Sequence, residues 1–365
     1  MRQRGILILA AVAILVVITA VYALQQRESR TVQAQLPALL FPGLLEKVND
    51  VATVSVAGPE ESFTIAKDKD GKWTMPSKGG YPVPVETVKQ ALVGLAELKP
   101  VEQKTANPEF FSKLDLQDRD AKDSKSLEIR LQDSGGKDIA AVLVGKRGAT
   151  ATTSTPGTIY VRKPGENQTW LASGRFEPDP KAVRWLDRDV VKVERQRVNT
   201  VTATRPDGNK LVVARETPTA DDFKPLNVPE GAKLISGGPS NALGSALGYI
   251  SYDDVAPAAS IDFSDAAKAE YRTFDGLVVT VSVKEKDGKH WVKFDAAQDR
   301  SVTAPAGKDE KDKPKTPEEV AKEVEAFNAK TKGWAYEVTK YKAEDFTKTL
   351  DDVIEKEKKD EKKGS

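Results

Sequence analysis

The sequence predicts an α+β protein, with an N-terminal transmembrane helix followed by two similar lobes of mainly antiparallel sheet and a few packed helices. Three observations predict this fold class. Gly5 to Leu24 form a run of twenty residues without a charge. Farther along, apolar runs of strand length alternate with glycine-containing turn sequences. Finally, several segments of the first half recur in the second half, which favours an internal duplication.

Composition excludes several classes of function. The chain has 365 residues, with 56 basic against 55 acidic side chains and a net charge of +1. Its length suggests two domains, and its charge balance argues against nucleic-acid binding, which depends on phosphate neutralisation. Cysteine is absent and His290 is the single histidine, so thiolate sites and sites with several histidine ligands are excluded. A Ser-His-Asp triad would have to use His290, which is interpreted as structural or exposed because it lies in a predicted strand beside Trp291. We therefore expect a non-enzymatic protein with no catalytic, cofactor-binding or metal-binding residues.

The uncharged N-terminal run is long enough for a helix to cross a bilayer core of about 30 Å. A cleaved signal peptide is the alternative, because Ala20 and Ala23 are small residues near its end. Signal-peptide apolar regions usually span about 7–15 residues, and Tyr22 suits a membrane interface. A retained, single-pass anchor is therefore the favoured interpretation.

Flanking charges leave the orientation of the anchor nearly balanced. Arg2 and Arg4 precede it, and Arg27 and Arg30 follow it, whereas orientation follows an excess of basic residues on one side. The short leading tail and the missing cysteines favour an orientation with the N-terminus in the cytoplasm and the body on the other side of the membrane. A cytosolic body on the same anchor is the alternative.

The expected domain organisation follows these patterns. Residues 1–24 form a cytoplasmic stub and anchor, 25–47 a linker, 48–192 a first lobe and 193–354 a second lobe. A charged disordered loop lies near 302–316, and 355–365 form a disordered charged tail. The apolar segment Leu36–Val48 is interrupted by Pro42 and Gly43 and is expected to pack against the body.

The expected duplication depends on paired segments. Val48–Val56 resembles Val198–Pro206, and each lobe has one helical apolar pattern, at Pro84–Leu98 and at Ser240–Ile250, with Ser240 as N-cap. Later strands are matched in order. Leu127–Leu131 and Ala140–Val144 are paired with Leu277–Val283 and Trp291–Phe294, and Thr158–Lys163 with Trp334–Lys340.

Local signals predict the turns and one further helix. Hairpin turns are expected at glycine-containing pairs, which suit tight turns with positive φ: Asp70-Gly71, Gly135-Gly136, Asp207-Gly208 and Asp287-Gly288. Thr316, Pro317 and Glu319 form a capping box with a first-turn proline, and Gly333 ends that helix. The five tryptophans are expected to fill the lobe cores.

Candidate motifs for chemistry are weak. Lys67–Lys72 lacks the glycine and glutamate of a calcium loop and is read as a hairpin turn. Gly237–Gly248 is glycine-rich without a phosphate-loop lysine and is read as a loop and helix start. The pairs Asp187/Asp189, Asp221/Asp222 and Asp253/Asp254 could serve a glycosidase-like enzyme only within a shared pocket. Within Trp185–Asp189, Arg188 is interpreted as an ion-pairing or capping group where the lobes meet.

Several spaced segments together resemble a known bacterial family, the domain of unknown function 4340 (DUF4340) family, in its form with an N-terminal anchor. These are Leu39–Val51, Gly79–Phe111, Leu143–Gly148, Ile159–Gly174, Trp185–Asp189, Phe274–Val279 and Gly333–Lys342. The resemblance implies an auxiliary component of a gliding-motility-type ABC transport system, with permease and ATPase subunits as partners. It offers no catalytic residues to carry over. The charged stretch Lys308–Lys315 differs from the family pattern and is interpreted as an insertion in the second lobe.

We therefore expect an accessory or scaffold component of a membrane complex of ABC-transporter type, with no cofactor. Its contact surface would be exposed strand edges or the cleft between the lobes. The alternative is a periplasmic binding module for a cell-envelope glycan or lipid-linked ligand, in which Tyr81, Tyr249 and Tyr252 would stack on sugar rings. An enzyme with paired carboxylates would need two acids with strongly shifted pKa values in one pocket.

Overall fold

A computed structural model describes residues 38–153, 155–235, 237–302 and 314–355. The predicted anchor and most of the predicted linker, the core of the charged loop (303–313) and the tail from residue 356 lie outside these ranges. Among the described residues, no helix is both long enough and apolar enough to span a bilayer.

The described residues fall into two compact units. One consists of residues 38–62 and 89–180, and the other of residues 63–88 and 181–355. Residues 63–88 thus belong with the C-terminal unit, whereas the predicted division places them in the first lobe. This arrangement makes both units discontinuous in sequence.

The fold is α+β with two antiparallel sheets, as predicted. The first sheet has nine strands in the order β4-β3-β2-β1-β6-β7-β8-β9-β5. Its strands are β1 Thr53–Ala57, β2 Ser62–Lys67, β3 Trp73–Met75, β4 Tyr81–Pro82, β5 Lys99–Gln103, β6 Leu127–Gln132, β7 Asp138–Arg147, β8 Gly157–Arg162 and β9 Thr169–Gly174.

The second sheet has eight strands in the order β12-β11-β10-β14-β15-β16-β17-β13. Its strands are β10 Val198–Thr204, β11 Lys210–Ala214, β12 Lys224–Pro225, β13 Asp254–Pro257, β14 Ala267–Thr273, β15 Leu277–Lys286, β16 Lys289–Gln298 and β17 Trp334–Val338.

Within the described ranges, five α-helices accompany the sheets: α1 Leu44–Lys47, α2 Val85–Ala96, α3 Gly238–Ser245, α4 Pro317–Thr331 and α5 Lys340–Phe346. Short 3₁₀ helices connect several elements, among them Pro76–Lys78, Pro108–Leu114 and Ala246–Gly248. Both predicted helical patterns of the lobes are therefore helices in the structure.

Alternating side chains explain why the strands form. In β6, Leu127, Ile129 and Leu131 are buried while the residues between them are half-buried, as expected for a sheet with one covered face. The four predicted glycine turns join strands that are consecutive in sequence, and the second residue of each pair, Gly71, Gly136, Gly208 or Gly288, has a φ between 74° and 86°. The hairpin predictions are confirmed.

The two sheets share one topology. Without β4, the first sheet reads β3-β2-β1-β6-β7-β8-β9-β5, and the second reads β12-β11-β10-β14-β15-β16-β17-β13. When the strands of each half are numbered from the start of that half, leaving out β4, the two sheets have the same strand order. A helix, α2 or α3, also follows the third or fourth strand of each half.

This correspondence corrects part of the predicted pairing of segments. The match between Val48–Val56 and Val198–Pro206 aligns β1 with β10, as the topology does. However, the topology matches β7 with β15 and β8 with β16, whereas the predicted pairing matches β6 with β15 and β7 with β16. The predicted matches of the later strands are therefore wrong by one strand. The cause is that β14, Ala267–Thr273, has no counterpart among the predicted strands, which shifts every later match by one position.

Two further expectations have different outcomes. The linker end packs against the body, because Leu40 and Leu44 are buried and the Leu40 amide donates to the Leu98 carbonyl at 2.8 Å. The predicted N-cap Ser240 is wrong, since α3 begins at Gly238 and Ser240 is buried in its first turn. Pro239 explains the earlier start, because proline suits the first helical turn.

Helix α4 has the predicted capping box, with Thr316 and Glu319 bonding reciprocally to backbone amides. Arg197 fixes the helix to the sheet, bonding Glu323 at 2.7 Å and Asp275 at 2.9 Å. Burial opposes the charged form of Arg197, but these carboxylates raise its pKa above the ordinary value. The network is a structural ion cluster rather than a reactive site.

Candidate functional site

The tyrosines expected to stack on sugars do not form a surface. Tyr81 and Tyr252 are buried beside Tyr336, with ring centroids 6.2 Å and 5.3 Å from the Tyr336 ring. Burial raises the pKa of all three hydroxyls, so they stay protonated. Tyr249 alone of the expected trio is exposed. The cluster is a hydrophobic core with satisfied hydroxyls.

The segment Trp185–Asp189 is held by internal contacts. The Arg188 guanidinium donates to Ser251 Oγ at 2.9 Å and lies 5.7 Å from the Tyr252 ring centroid. Asp187 pairs with Lys330 at 2.9 Å, and its carbonyl accepts the Tyr252 hydroxyl at 2.6 Å. Arg188 therefore fixes this segment to the chain around Tyr252.

The remaining sequence motifs are structural in the described residues. Asp68 Oδ1 accepts the amides of Asp70 and Lys72 at 2.9 Å, which makes Lys67–Lys72 a hairpin turn. His290 lies on β16 opposite Glu285 and Val338. No group of three or more acidic or histidine side chains suited to a metal occurs in the part of the chain described.

Strand edges, the first expected contact surface, are protected. Edge strand β5 contains Pro100, which has no amide donor, and a bulge beside it, two devices that blunt sheet edges. Edge strand β13 is covered by residues 76–79, with Lys78 Nζ 2.7 Å from Asp254 Oδ1. The other edge strands, β4 and β12, have only two residues each.

An open depression on the second unit remains as the best candidate. It has a volume of about 620 Å³, and a depression of about 470 Å³ adjoins it. The connection between β13 and β14 forms one wall, and strands β15 and β16 form the other. Its lining consists chiefly of residues 259–263 with Lys284, Lys286 and Lys293.

Strand geometry explains why the lysines converge. Lys284 and Lys286 are two residues apart on β15, so both side chains leave the same face of the sheet. Lys293 on β16 lies opposite Ser282, which is on that face too. The three ammonium groups thus share one side of the sheet.

The lysines are incompletely neutralised. Lys284 pairs with Asp265, whereas Lys286 donates to the neutral Ser260 carbonyl at 3.1 Å. Lys293 Nζ lies 5.5 Å from the Phe263 ring centroid and 3.9 Å from Asp295 Oδ2. Asp265 and Asp295 offset the charges of Lys284 and Lys293, so Lys286 is the position of the lining that favours an anionic group.

Ile261 and Phe263 form the apolar part of the lining of the depression. Ile261 and Trp291 are buried in a cluster with Ala335, and Phe263 packs against this cluster. The acidic residue of the lining, Asp262, accepts the Ser264 amide at 2.9 Å, and this bond lowers the pKa of its carboxyl. An apolar patch beside lysine side chains can hold an apolar side chain next to a carboxylate.

The lining of the depression contains no histidine, and the hydroxyl of Ser260 donates to the Pro257 carbonyl at 2.7 Å rather than to a base. Sequence reasoning missed this site. The period-two lysines of β15 are the signal that could have indicated it, but the short β13–β14 connection becomes informative only with the topology known.

Comparisons with known proteins give one result. The model of the family described as Domain of unknown function (DUF4340) matches residues 73–272, more than half of the chain. No curated protein and no solved structure matches the sequence.

Proposed function

The chain belongs to the DUF4340 family, and from that premise we propose that it is a non-enzymatic accessory or scaffold component of a membrane complex. The complex would be of ABC-transporter type, with permease and ATPase subunits as partners. The uncharged run Gly5–Leu24 would anchor the protein in the bacterial inner membrane, and the body would lie in the periplasm.

The lysine-lined depression is the observation that carries this proposal. The depression is wide and open, and its lysine and serine side chains bond backbone carbonyls or carboxylates. Small-molecule sites are usually enclosed and bury most of their ligand. An open depression with an apolar patch beside lysine side chains instead suits a protruding part of a protein. A tethered body would dock there with a raised effective concentration.

We also propose that the body arose by internal duplication. The identical order of eight strands supports this, as do the burial patterns of β7 and β15, which agree from their second residue to their last. The alternative function, binding of an envelope glycan or lipid-linked ligand, gains nothing from the aromatic residues first assigned to it.

Affinity purification of the full-length protein in mild detergent tests the proposal. We expect a permease and an ATPase to co-purify in stable proportion, and the double variant Lys286→Glu/Lys293→Glu to reduce their recovery at least tenfold. Lys322→Glu, an exposed lysine on α4 outside the depression, serves as the matched control. Recovery of the protein alone, even with a crosslinker, would contradict the proposal.

A further inference from the structure

One contact of the second unit joins two elements that the duplication supplies twice. Residues 76–82, in the connection between β3 and α2, cover edge strand β13. A Cβ atom at Gly79 would collide with the Pro257 ring of β13, and the ring centroid of Tyr81 lies 4.9 Å from that of Trp334 on the neighbouring strand β17. The cover consists of side-chain contacts, so the proline of β13 does not prevent it.

Both elements of this contact have a counterpart in the other half of the chain. Strand β5 has the place in the first sheet that β13 has in the second, at the edge. Strand β12 has the place of β3, so the connection from β12 to α3 corresponds to the connection from β3 to α2. We call residues 226–235 the donor segment and β5 the acceptor strand.

A proline turn aligns the two connections. The Pro76 carbonyl accepts the amide three residues later at 3.0 Å, and the Pro229 carbonyl accepts the amide three residues later at 3.2 Å. Five residues after these prolines stand Tyr81 and Leu234, respectively. Leu234 therefore holds the position of the ring that packs at the edge of the second sheet.

Within the described residues, neither counterpart is covered. Four of the five residues of the acceptor strand are exposed, among them Val101, whereas none of the four residues of β13 is exposed. Tyr81 is 2% exposed, but Leu234 is 48% exposed, and Leu226 and Ile235 of the donor segment are exposed too. The contact is therefore made once, while a second donor and a second acceptor both face solvent.

The donor segment is held in place by its own chain. The Ile235 amide donates to the Val353 carbonyl at 2.9 Å, and Leu234 lies opposite Ile354 in an isolated antiparallel bridge. These contacts fix the backbone and leave the leucine side chain half exposed. A partner therefore does not have to order the segment, which lowers the entropic cost of binding.

Cross-strand neighbours match the two sheet edges residue by residue. Val144 and Val283 are the seventh residues of β7 and β15, whose burial patterns agree. From each valine a row of neighbours leads across the sheet to the edge strand. The rows are Val144, Val161, Trp170 and Gln103 in the first sheet, and Val283, Val292, Tyr336 and Val255 in the second. Trp170 thus corresponds to Tyr336.

The ring beside the acceptor strand is open. Tyr336 is buried, and the centroids of the Tyr81, Tyr252 and Phe294 rings lie 5.3–6.2 Å from its own. Trp170 is only half-buried, and none of the described aromatic rings packs against it. An apolar side chain of a donor segment can take the place beside Trp170 that Tyr81 takes beside Tyr336.

Charges agree with this pairing. Lys78 pairs with Asp254 of β13 at 2.7 Å. The matched rows place Glu102 of the acceptor strand at the position of Asp254, with its neighbour Lys104 at 2.6 Å. Lys233 of the donor segment is exposed, and none of the described carboxylates pairs with it. Surface ion pairs contribute little, so Glu102 can exchange Lys104 for a lysine of another copy.

We propose that the protein self-associates head to tail, with the donor segment of one copy covering the acceptor strand of a second copy. Leu234 packs beside Trp170 and Val101, and Lys233 pairs with Glu102. The two surfaces differ, so the contact is heterologous and extends into a ring or an open row of copies. This inference goes beyond the proposed function and does not depend on the lysine-lined depression.

Two variants that each alter one side of the contact test the proposal. Leu234→Asp changes the donor segment and Val101→Asp the acceptor strand. Sedimentation velocity of the full-length protein in mild detergent should show concentration-dependent association of the wild type, at least tenfold weaker in either variant. An equimolar mixture of the two should form a dimer, because one intact donor and one intact acceptor remain. Leu45→Asp, an exposed residue of α1, is the control and should associate like the wild type.

A wild type that stays monomeric at every concentration would overturn the inference. So would a mixture that stays monomeric while each variant melts within a few degrees of the wild type, because mixing must restore a heterologous contact. Association that persists undiminished in both variants would place it elsewhere in the chain and reject this contact. The depression variant Lys286→Glu/Lys293→Glu should associate like the wild type.

Discussion

Buried charges in this fold are paired or bonded with one exception among the described side chains. Arg162 pairs with Asp118, and Arg215 is satisfied by the carbonyls of Arg195, Val198 and Ala220. Asp345 on α5 is 7% exposed, and its Oδ1 has no hydrogen-bond partner. Desolvation raises the pKa of this carboxyl, while Lys342 and Lys348 lower it less. Its ionised form therefore destabilises the fold.

Asp345→Asn should stabilise the protein at neutral pH. A raised pKa means that the folded state binds the proton more tightly, so the wild type loses stability as pH rises from about 4 through the folded pKa. We expect the variant to gain on the order of 1 kcal/mol at pH 7 and nothing at pH 4. Thermal melting from pH 4 to 8 measures this. The exposed Asp351→Asn is the control, and a constant difference at all pH values would contradict the account.

At the scale of elements, α3 depends on a close approach to an aromatic ring. A Cβ atom at Gly244 would lie 2.3 Å from the Phe223 ring. Phe223 is 1% exposed and lies between Arg215 and Arg195, whose guanidinium carbons are 4.8 Å and 5.5 Å from its centroid. The ring therefore has little room to move.

Gly244→Ala should destabilise the second unit, because overpacking against Phe223 costs about 1–3 kcal/mol. The higher helix propensity of alanine offsets about 1 kcal/mol of this cost. Gly238→Ala in the same helix is the matched control, because a Cβ there meets nothing within 4 Å, and it should be neutral or slightly stabilising. Chemical denaturation of both variants measures the difference. Equal stability of the two would show that α3 tolerates a shift away from Phe223.

Sequence predicted those elements whose signals are local. The capping box at Thr316 and the glycine turns are dictated by neighbouring residues, and the structure has both. The strand pairing between the halves failed because β14, Ala267–Thr273, alternates charged with small or aromatic residues and lacks the continuous apolar run of its neighbour β15. A strand of this kind is not found from apolar runs, so the strands after it were matched one position too early.

At the scale of the whole molecule, the repeated topology explains both what was predictable and what was missed. The α+β class followed from strand-length apolar runs and tight turns. The candidate site did not, because it arises from a difference in length between two equivalent connections, 104–126 and 258–266. That difference acquires meaning only when β5 is aligned with β13 and β6 with β14.

The central claim is that the body docks a membrane partner through the lysine-lined depression. Site-specific photo-crosslinking in native membranes tests it most directly, with a photoreactive residue at Ala259 in the lining and, as control, at exposed Ala329 on α4. The account predicts a crosslink to a membrane-complex subunit from position 259 and none from position 329. No partner from position 259, or the same partner from both positions, would contradict it.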